Sequence, residues 1–349
     1  MTDTSSGQAP LAFVTGATGL LGNNLVRALL EEGFRVRALV RFPEKATQQF
    51  GGLPIEVVTG DMLNVNAFAS ALVGVDVVFH TAAYFRDSYT GGSHLQQLHA
   101  ANVLGTRALL KCTYAAGVRR LVHASSIAVL RGQRGQVVDE TMLRDERDAD
   151  DYFRSKILSD REVLGFLETH PDFWAAMVLP GWMHGPGDMG PTAAGQTILD
   201  VGHGKFPGVP PGSVCVVDAR DVAEAMIQIY RGGRRGERYL AAGQHFTMAE
   251  FIPLVGAALG IEVPARRLPF AMLYTVAAVS EVKARLTGQP VLFSWAMARA
   301  LSSENERSHF SKAKSQAELG LIFRPVEETL RDEIAWFRTH GWLPNDGCN

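Results

Sequence analysis

Apolar positions in the first half of the chain switch repeatedly between two periods. Short runs rich in Val, Ile and Phe give way to longer stretches with apolar residues three and four apart. Leu11–Thr15 reads as the first strand. Leu21, Leu25, Ala28 and Leu29 then share one helical face, and Gly33 closes that helix. Strands follow at Arg35–Val40, 55–58 and 75–80, the last behind a turn at Gly74. A long helix over 94–116 ends at Gly117, a strand covers 121–124, a helix covers 151–168, and 174–179 makes a sixth strand. Parallel neighbours need long crossover connections, so this alternation predicts an α/β fold: a doubly wound parallel sheet with helices on both faces.

Beyond residue 180 the pattern changes. Gly and Pro crowd 180–212, which predicts loops and short helices. Asp218 and Asp221 precede an apolar helix reaching about Tyr230, and mostly helical patterns follow. This half reads as a smaller, mostly helical substrate-binding part over the C-terminal edge of the sheet. The expected division is a loose tail over 1–10, a sheet domain over 11–180 with a return of about 213–241, and a cap made of 181–212 and 242–345. The tail lacks the basic-then-apolar order of a secretory leader. The apolar run from Leu268 to Val279 falls short of the roughly 20 residues that cross a bilayer. A packed helix is expected there, with no stable membrane insertion, and contact of 268–287 with a membrane surface is left open.

Composition narrows the field further. With 349 residues and 46% hydrophobic content the chain can bury a large core. Lys+Arg (34) nearly balances Asp+Glu (36), so no basic surplus points to nucleic acid. Cys112, Cys215 and Cys348 are too few and too far apart for a disulfide framework or zinc cluster, which suits a reducing, cytoplasmic compartment. The ten histidines show no pair at metal-binding helical spacing, so no metal is expected. Arg231 to Arg238 reads as a solvated basic turn.

Candidate chemistry begins at the first strand–helix junction. Gly16, Gly19 and Gly22 form a G-x-x-G-x-x-G set after an apolar strand and opening a helix. Gly16 permits a tight turn, Gly19 a close backbone approach to a pyrophosphate, and Gly22 close helix–strand packing. Thr18, Leu20 and Leu21 belong to the same loop. Dinucleotide binding on a Rossmann-type sheet is the expectation. At the end of the second strand, where NAD enzymes place an acid, stands Arg41, with Lys45 four residues on. Cations there suit a 2′-phosphate, so NADP(H) is expected to be preferred, with NAD(H) as the alternative. Asp61, followed by Met62, reads either as a contact to the adenine amino group or as a helix cap. The small strand end Thr81, Ala82 and Ala83 admits a cofactor backbone.

Tyr152 and Lys156 form a Y-x-x-x-K pair on the helix after strand five. Positions four apart share a helix face, and an ammonium beside a phenol stabilises the phenolate. Such a phenol can pass a proton to a carbonyl oxygen or take one from an alcohol. Ser125 and Ser126 end strand five, where a hydroxyl can bond the same oxygen. These residues, with Asn102-Val-Leu-Gly-Thr106 and Leu179-Pro180-Gly181, occur in an order that resembles the extended short-chain dehydrogenase/reductase family from about residue 11 to 230. The resemblance implies a Ser126–Tyr152–Lys156 triad and a structural or relay role for Asn102. It also implies Pro180 and Gly181 on the nicotinamide side, and a homodimer through the helices around 94–116 and 151–168.

Two branches of that family compete. The sugar-nucleotide epimerases and dehydratases hold a diphosphate with an Asn after strand six and an Arg before an Asp-Val-Ala motif. Here Pro180 to Pro186 offers no amide, and Val214 to Val217 precede Asp218 and Asp221-Val222-Ala223. The sequence is closer to the dihydroflavonol reductase-like and 3β-hydroxysteroid dehydrogenase-like branch, which acts on apolar carbonyls or alcohols. Tyr84, Phe85, Ile127, Trp182, Met183 and His184 are the candidate pocket walls for such a small-molecule substrate. His80 and His123 sit inside strands and read as core histidines. The rival readings are a nucleotide-sugar epimerase or dehydratase, marked by tightly held NAD, and a non-catalytic redox sensor.

Overall fold

The computed structural model describes residues 9–85, 94–206, 208–287 and 295–344. Its main sheet runs β3 (Ile55–Thr59), β2 (Arg35–Val40), β1 (Leu11–Thr15), β4 (Val77–His80), β5 (Arg120–Ala124), β6 (Trp174–Pro180) and β9 (Arg238–Ala241). Every pairing is parallel. The order reverses beside β1, which opens the crevice where such sheets take ligands.

Side-chain alternation along the strands feeds two cores. Ala12, Val14, Val36 and Ala38 face α1 (Leu20–Glu31) and α7 (Ala219–Gly232), meeting Leu25, Leu29, Val222 and Met226. Leu11, Phe13 and Leu39 face the other way. They meet the 3-10 segment Met62–Leu72, α4 (Gly105–Ala115) and α5 (Asp151–Thr169) through Phe68, Leu109 and Val163. At 25 cal/mol per Å², burying one such Leu or Phe contributes about 1.5–3 kcal/mol.

The expected helix over 94–116 is divided. A π-helical turn at His99–Leu104 separates α3 (Leu95–Leu98) from α4. Such turns recur at functional sites, and this one carries Asn102. The expected return to the sheet at about 213 starts later. β8 (Ser213–Asp218) belongs instead to a second sheet, antiparallel to β10 (Gln244–Thr247) and parallel to β7 (Trp182–His184). Its Val216 is drawn there by the core under α6 (Ala193–Gly202), α8 (Met248–Leu259) and α12 (Val326–Thr339). Only α7 and β9 rejoin the main sheet; α2 (Pro43–Phe50) and α11 (Ala313–Leu319) complete that layer.

The apolar run that begins at Leu268 lies from Phe270 onward in α9 (Phe270–Thr287), which pairs with α10 (Trp295–Ser303) around Leu273, Ala277 and Ala298. Among the described residues no helix is long and apolar enough to cross a membrane.

Candidate active site

The glycine loop is built for close approach. Gly16 has φ +66°, and a Cβ there would meet Ala82 Cα at 2.7 Å. A Cβ on Gly22 would lie 2.2 Å from Gly16 O. At Gly19, by contrast, an added Cβ meets only Gly16 O, at 3.3 Å, and otherwise open space. Gly19 is also the N-cap of α1 and supplies no side-chain cap, so the first-turn amides keep their donors for a ligand. A pyrophosphate fits that cradle. Thr15 locks its floor: its Oγ1 is 2.8 Å from His80 Nδ1 and accepts from Ala82 N at 3.2 Å. Thr81 Oγ1 donates to Thr15 O at 2.6 Å. Gln49 of α2 donates to Thr18 O at 3.1 Å, and Leu20 and Leu21 are buried behind the loop.

Arg41 and Lys45 both lie 5.7 Å from the Phe42 ring centre, which gathers the two exposed cations at the end of β2. Arg41 is near enough to act on Tyr84: burial pushes that phenol up and the Arg41 charge opposes it. Asp61 accepts from Leu63 N at 2.9 Å, so it caps the segment that begins at Met62.

Lys156 is 3% exposed and donates to Ala124 O, the last residue of β5, at 2.7 Å. Burial draws its ammonium down to about 8, and the Asp160 charge opposes that shift. Tyr152, one turn earlier, packs with Leu98 and Ala128. The Phe85 ring stands edge-on to it at 4.7 Å. Asp150 caps α5 by accepting from Phe153 N at 2.8 Å. Ser126 caps the turn after β5, its Oγ accepting from Ala128 N at 3.1 Å, while Ser125 is 4% exposed. Of the two serines, the half-buried Ser126 therefore lies nearer the cleft surface. The elements thus bring Tyr152, Lys156 and the Ser126 turn together at the C-terminal edge of β5.

Asn102 accepts from Tyr84 N at 2.7 Å and donates to Tyr84 O at 3.0 Å and Ser155 Oγ at 3.0 Å. Ser155 in turn donates to Tyr152 O at 2.7 Å. The π turn thereby ties the Tyr84–Phe85 wall to the Tyr152 turn. Beneath it runs a buried polar row. Thr106 Oγ1 is 3.0 Å from His80 Nε2 and 3.1 Å from Ser159 Oγ, and Ser159 Oγ is 3.3 Å from His123 Nε2. Asp160, 1% exposed, ends the row against Arg238 Nε at 3.2 Å. Burial pushes Asp160 up, with Arg238 and Lys156 opposing. Burial first, and then the Lys156 charge, hold His80 down at about 3; the same causes hold His123 well below its usual range.

Sequence reasoning missed Ser155 and Asp160. Asp160 stands four residues after Lys156, so the helical spacing that marked Lys156 also marks it. His80 and His123 are buried core histidines, with the added feature that they abut α5, the helix that carries Tyr152 and Lys156.

The segment after β6 departs from the expected pocket wall. His184 is fully buried, its Nδ1 2.9 Å from Glu333 Oε2, because β7 turns it into the core beneath α12. It is a core partner there, not a wall residue. Trp182 leans on Phe251 at 5.6 Å, and Met183 packs on the main core. Gly181 serves packing: a Cβ would sit 2.5 Å from the carbonyls of Ala242 and Cys215. Pro180 is buried within β6, Ala83 is exposed, and Ile127 is half-buried. Asn24 Nδ2 donates to Pro186 O at 2.9 Å, which holds the stretch after Pro180 against α1.

A parallel sheet with a glycine cradle at its switch point and a Tyr–Lys pair beside it defines a dinucleotide-dependent enzyme class. The model of the NAD dependent epimerase/dehydratase family matches residues 12–242, and the chain belongs to that family, the extended short-chain dehydrogenase/reductases. Its members are oxidoreductases and epimerases that use nicotinamide dinucleotides. The chain is 34% identical over 334 residues to sterol demethylase protein B of Methylococcus capsulatus, covering 95% of this chain and 99% of that one. It is 32% identical to a putative dihydroflavonol 4-reductase of Synechocystis, covering 95% of each. The crystal structure of gox2253 superposes with a TM-score of 0.80 at 35% identity, over 95% of this chain and 99% of that chain.

Proposed function

We propose that the protein is an NADP(H)-preferring reductase of an apolar ketone or aldehyde, or dehydrogenase of the matching alcohol. The observation that carries the reading is the setting of Tyr152. Its phenol stands among Phe85, Tyr84, Leu98, Phe153 and Ala128, one helical turn from a buried ammonium. Such walls accept an apolar substrate and themselves carry no cation for a diphosphate. Bound nicotinamide supplies or takes the hydride. Tyr152 gives its proton to the carbonyl oxygen, Ser126 donates a hydrogen bond to that oxygen, and Lys156 stabilises the phenolate left behind. The Gly16–Gly22 loop would hold the pyrophosphate, and Arg41 with Lys45 a 2′-phosphate. The names of the relatives, a dihydroflavonol reductase and a sterol demethylase protein, agree with an apolar substrate. A homodimer through α4 and α5 and a cytoplasmic location belong to the same reading.

The test is NADPH and NADH oxidation against apolar ketones, aldehydes and nucleotide 4-keto sugars. Turnover of apolar carbonyls, faster with NADPH, is expected. Activity confined to keto-sugars would replace this reading with the epimerase–dehydratase one. Tyr152→Phe is expected to cut kcat by a factor of at least 10²–10⁴ while leaving cofactor affinity unchanged. Retained turnover would remove Tyr152 from the chemistry.

A further inference from the structure

Six of the sixteen exposed large hydrophobics among the described residues lie in one helical hairpin. On α9 these are Met272 (36%), Val276 (45%), Val279 (63%), Val282 (56%) and Leu286 (82%), and on α10 Trp295 (48%). Steps of four, three, three and four residues keep the α9 set on one side over nearly its whole length. The opposite side, with Leu273 and Ala277, is already used against Ala298 of α10. Among the described residues α9 is apolar on two sides and only one of them is covered; a long, mainly apolar stripe of this kind, broken by Thr275 and Lys283, marks an interaction surface.

Charge selects the occupant. Residues 262–299 hold five basic side chains and two acidic ones, in a chain whose net charge is -2. Arg266, Arg267, Lys283 and Arg299 are exposed. A symmetric contact with a second copy would set these like charges against each other. An anionic lipid surface answers both features: the stripe enters the headgroup boundary and the cations meet lipid phosphates. Trp295, 48% exposed at the start of α10, supplies an amphipathic aromatic of the kind that settles at that depth. We infer that the α9–α10 hairpin docks the protein on an anionic membrane surface without spanning it.

The hairpin is rooted beside the candidate site. Glu304, directly after α10, pairs with Arg144 at 2.7 Å, and Arg144 donates to Ala128 O at 2.7 Å, two residues past Ser126. If the reductase reading holds, an apolar substrate dissolved in the bilayer would meet the enzyme at this end. The docking itself does not depend on that reading.

Flotation of the full chain with vesicles separates the outcomes. Phosphatidylcholine vesicles containing phosphatidylglycerol are expected to carry the protein, pure phosphatidylcholine vesicles much less, and added salt to release it. Val279→Asp with Leu286→Asp changes exposed positions only. It should abolish flotation and leave the melting temperature and turnover of a water-soluble carbonyl unchanged. Arg266→Glu with Arg267→Glu should weaken binding to anionic vesicles on the order of tenfold or more. Failure of the native chain to float with anionic vesicles would overturn the inference. So would a dimer in solution that the Val279/Leu286 variant converts to monomer, since a second copy would then own the stripe.

Discussion

Lys156 carries a charge that burial opposes, and the rate should record the tension. Its ammonium is drawn down to about 8, so the protonated form prevails below that pH and is lost as pH rises through it. The rate of carbonyl reduction, as kcat/KM, is therefore expected to fall on the alkaline side with an apparent midpoint near 8. Groups facing the pair are His80, His123, Arg238 and Asp160, and both histidines are neutral in that range. Burial pushes Asp160 up as well, and its charge, where present, is the one that opposes the downward shift of Lys156. Asp160→Asn should move the alkaline limb to lower pH, and Asp160→Glu should restore it. A uniform drop in rate with the limb unmoved would make Asp160 structural only. At the other end of the cofactor cleft, Arg41→Ala should raise KM for NADPH and leave KM for NADH nearly unchanged. Loss of one charge-assisted contact corresponds to about 1.5–3 kcal/mol, or roughly ten- to a hundred-fold in NADPH/NADH selectivity. Unaltered selectivity in steady-state kinetics would show that Arg41 does not read the 2′ position.

The β1–α1 unit is where sequence and structure agree in most detail, for a physical reason. Backbone contacts fix its glycines, so residue type and spacing alone report them. A Cβ on Gly22 would sit 2.2 Å from Gly16 O, inside the turn itself. Gly22→Ala must push α1 off the strand, and overpacking of that kind costs about 1–3 kcal/mol. Differential calorimetry should show the lower melting temperature without cofactor. Titration with NADPH should show affinity lost as well, whereas Gly19→Ala, whose Cβ meets only Gly16 O at 3.3 Å, should lose affinity with a much smaller change in melting. Equal effects at both positions would contradict the division of labour drawn from the geometry. Strand positions to within two residues, the Tyr152 helix and one of the two readings of Asp61, the cap, were legible for the same reason: they depend on local periodicity and local hydrogen bonds. The π turn at His99–Leu104 was not, because its register is imposed from outside by Asn102 reaching Tyr84 and Ser155. Nor was the burial of His184, which depends on Glu333, 149 residues away.

At the scale of the whole molecule the two halves are joined by side chains that no local pattern could mark. Arg144 is the clearest. Its side chain is 2% exposed, against 23% for Glu304, its bidentate partner at 3.0 and 2.7 Å. The same guanidinium donates to the carbonyls of Ala128 and Leu130 at 2.7 and 3.1 Å and lies over the Phe153 ring at 4.7 Å. One residue thus grips the turn that follows Ser126, the ring next to Tyr152 and the segment that leaves the α9–α10 hairpin. The planar fork matters more than the charge, since four acceptor atoms are met from fixed directions. Glu304→Ala strips the fork of its carboxylate but leaves both carbonyl bonds, so the loss should be moderate, about 1.5–3 kcal/mol in a denaturant melt. Arg144→Lys keeps the charge and cannot span the four acceptors, and should cost at least as much. Both variants should also lower kcat, with cofactor affinity held, because the glycine cradle lies on the far side of the sheet's switch point from this clamp. A full loss of stability with kcat per folded molecule unchanged would show that Arg144 fastens the cap without positioning the Ser126 turn.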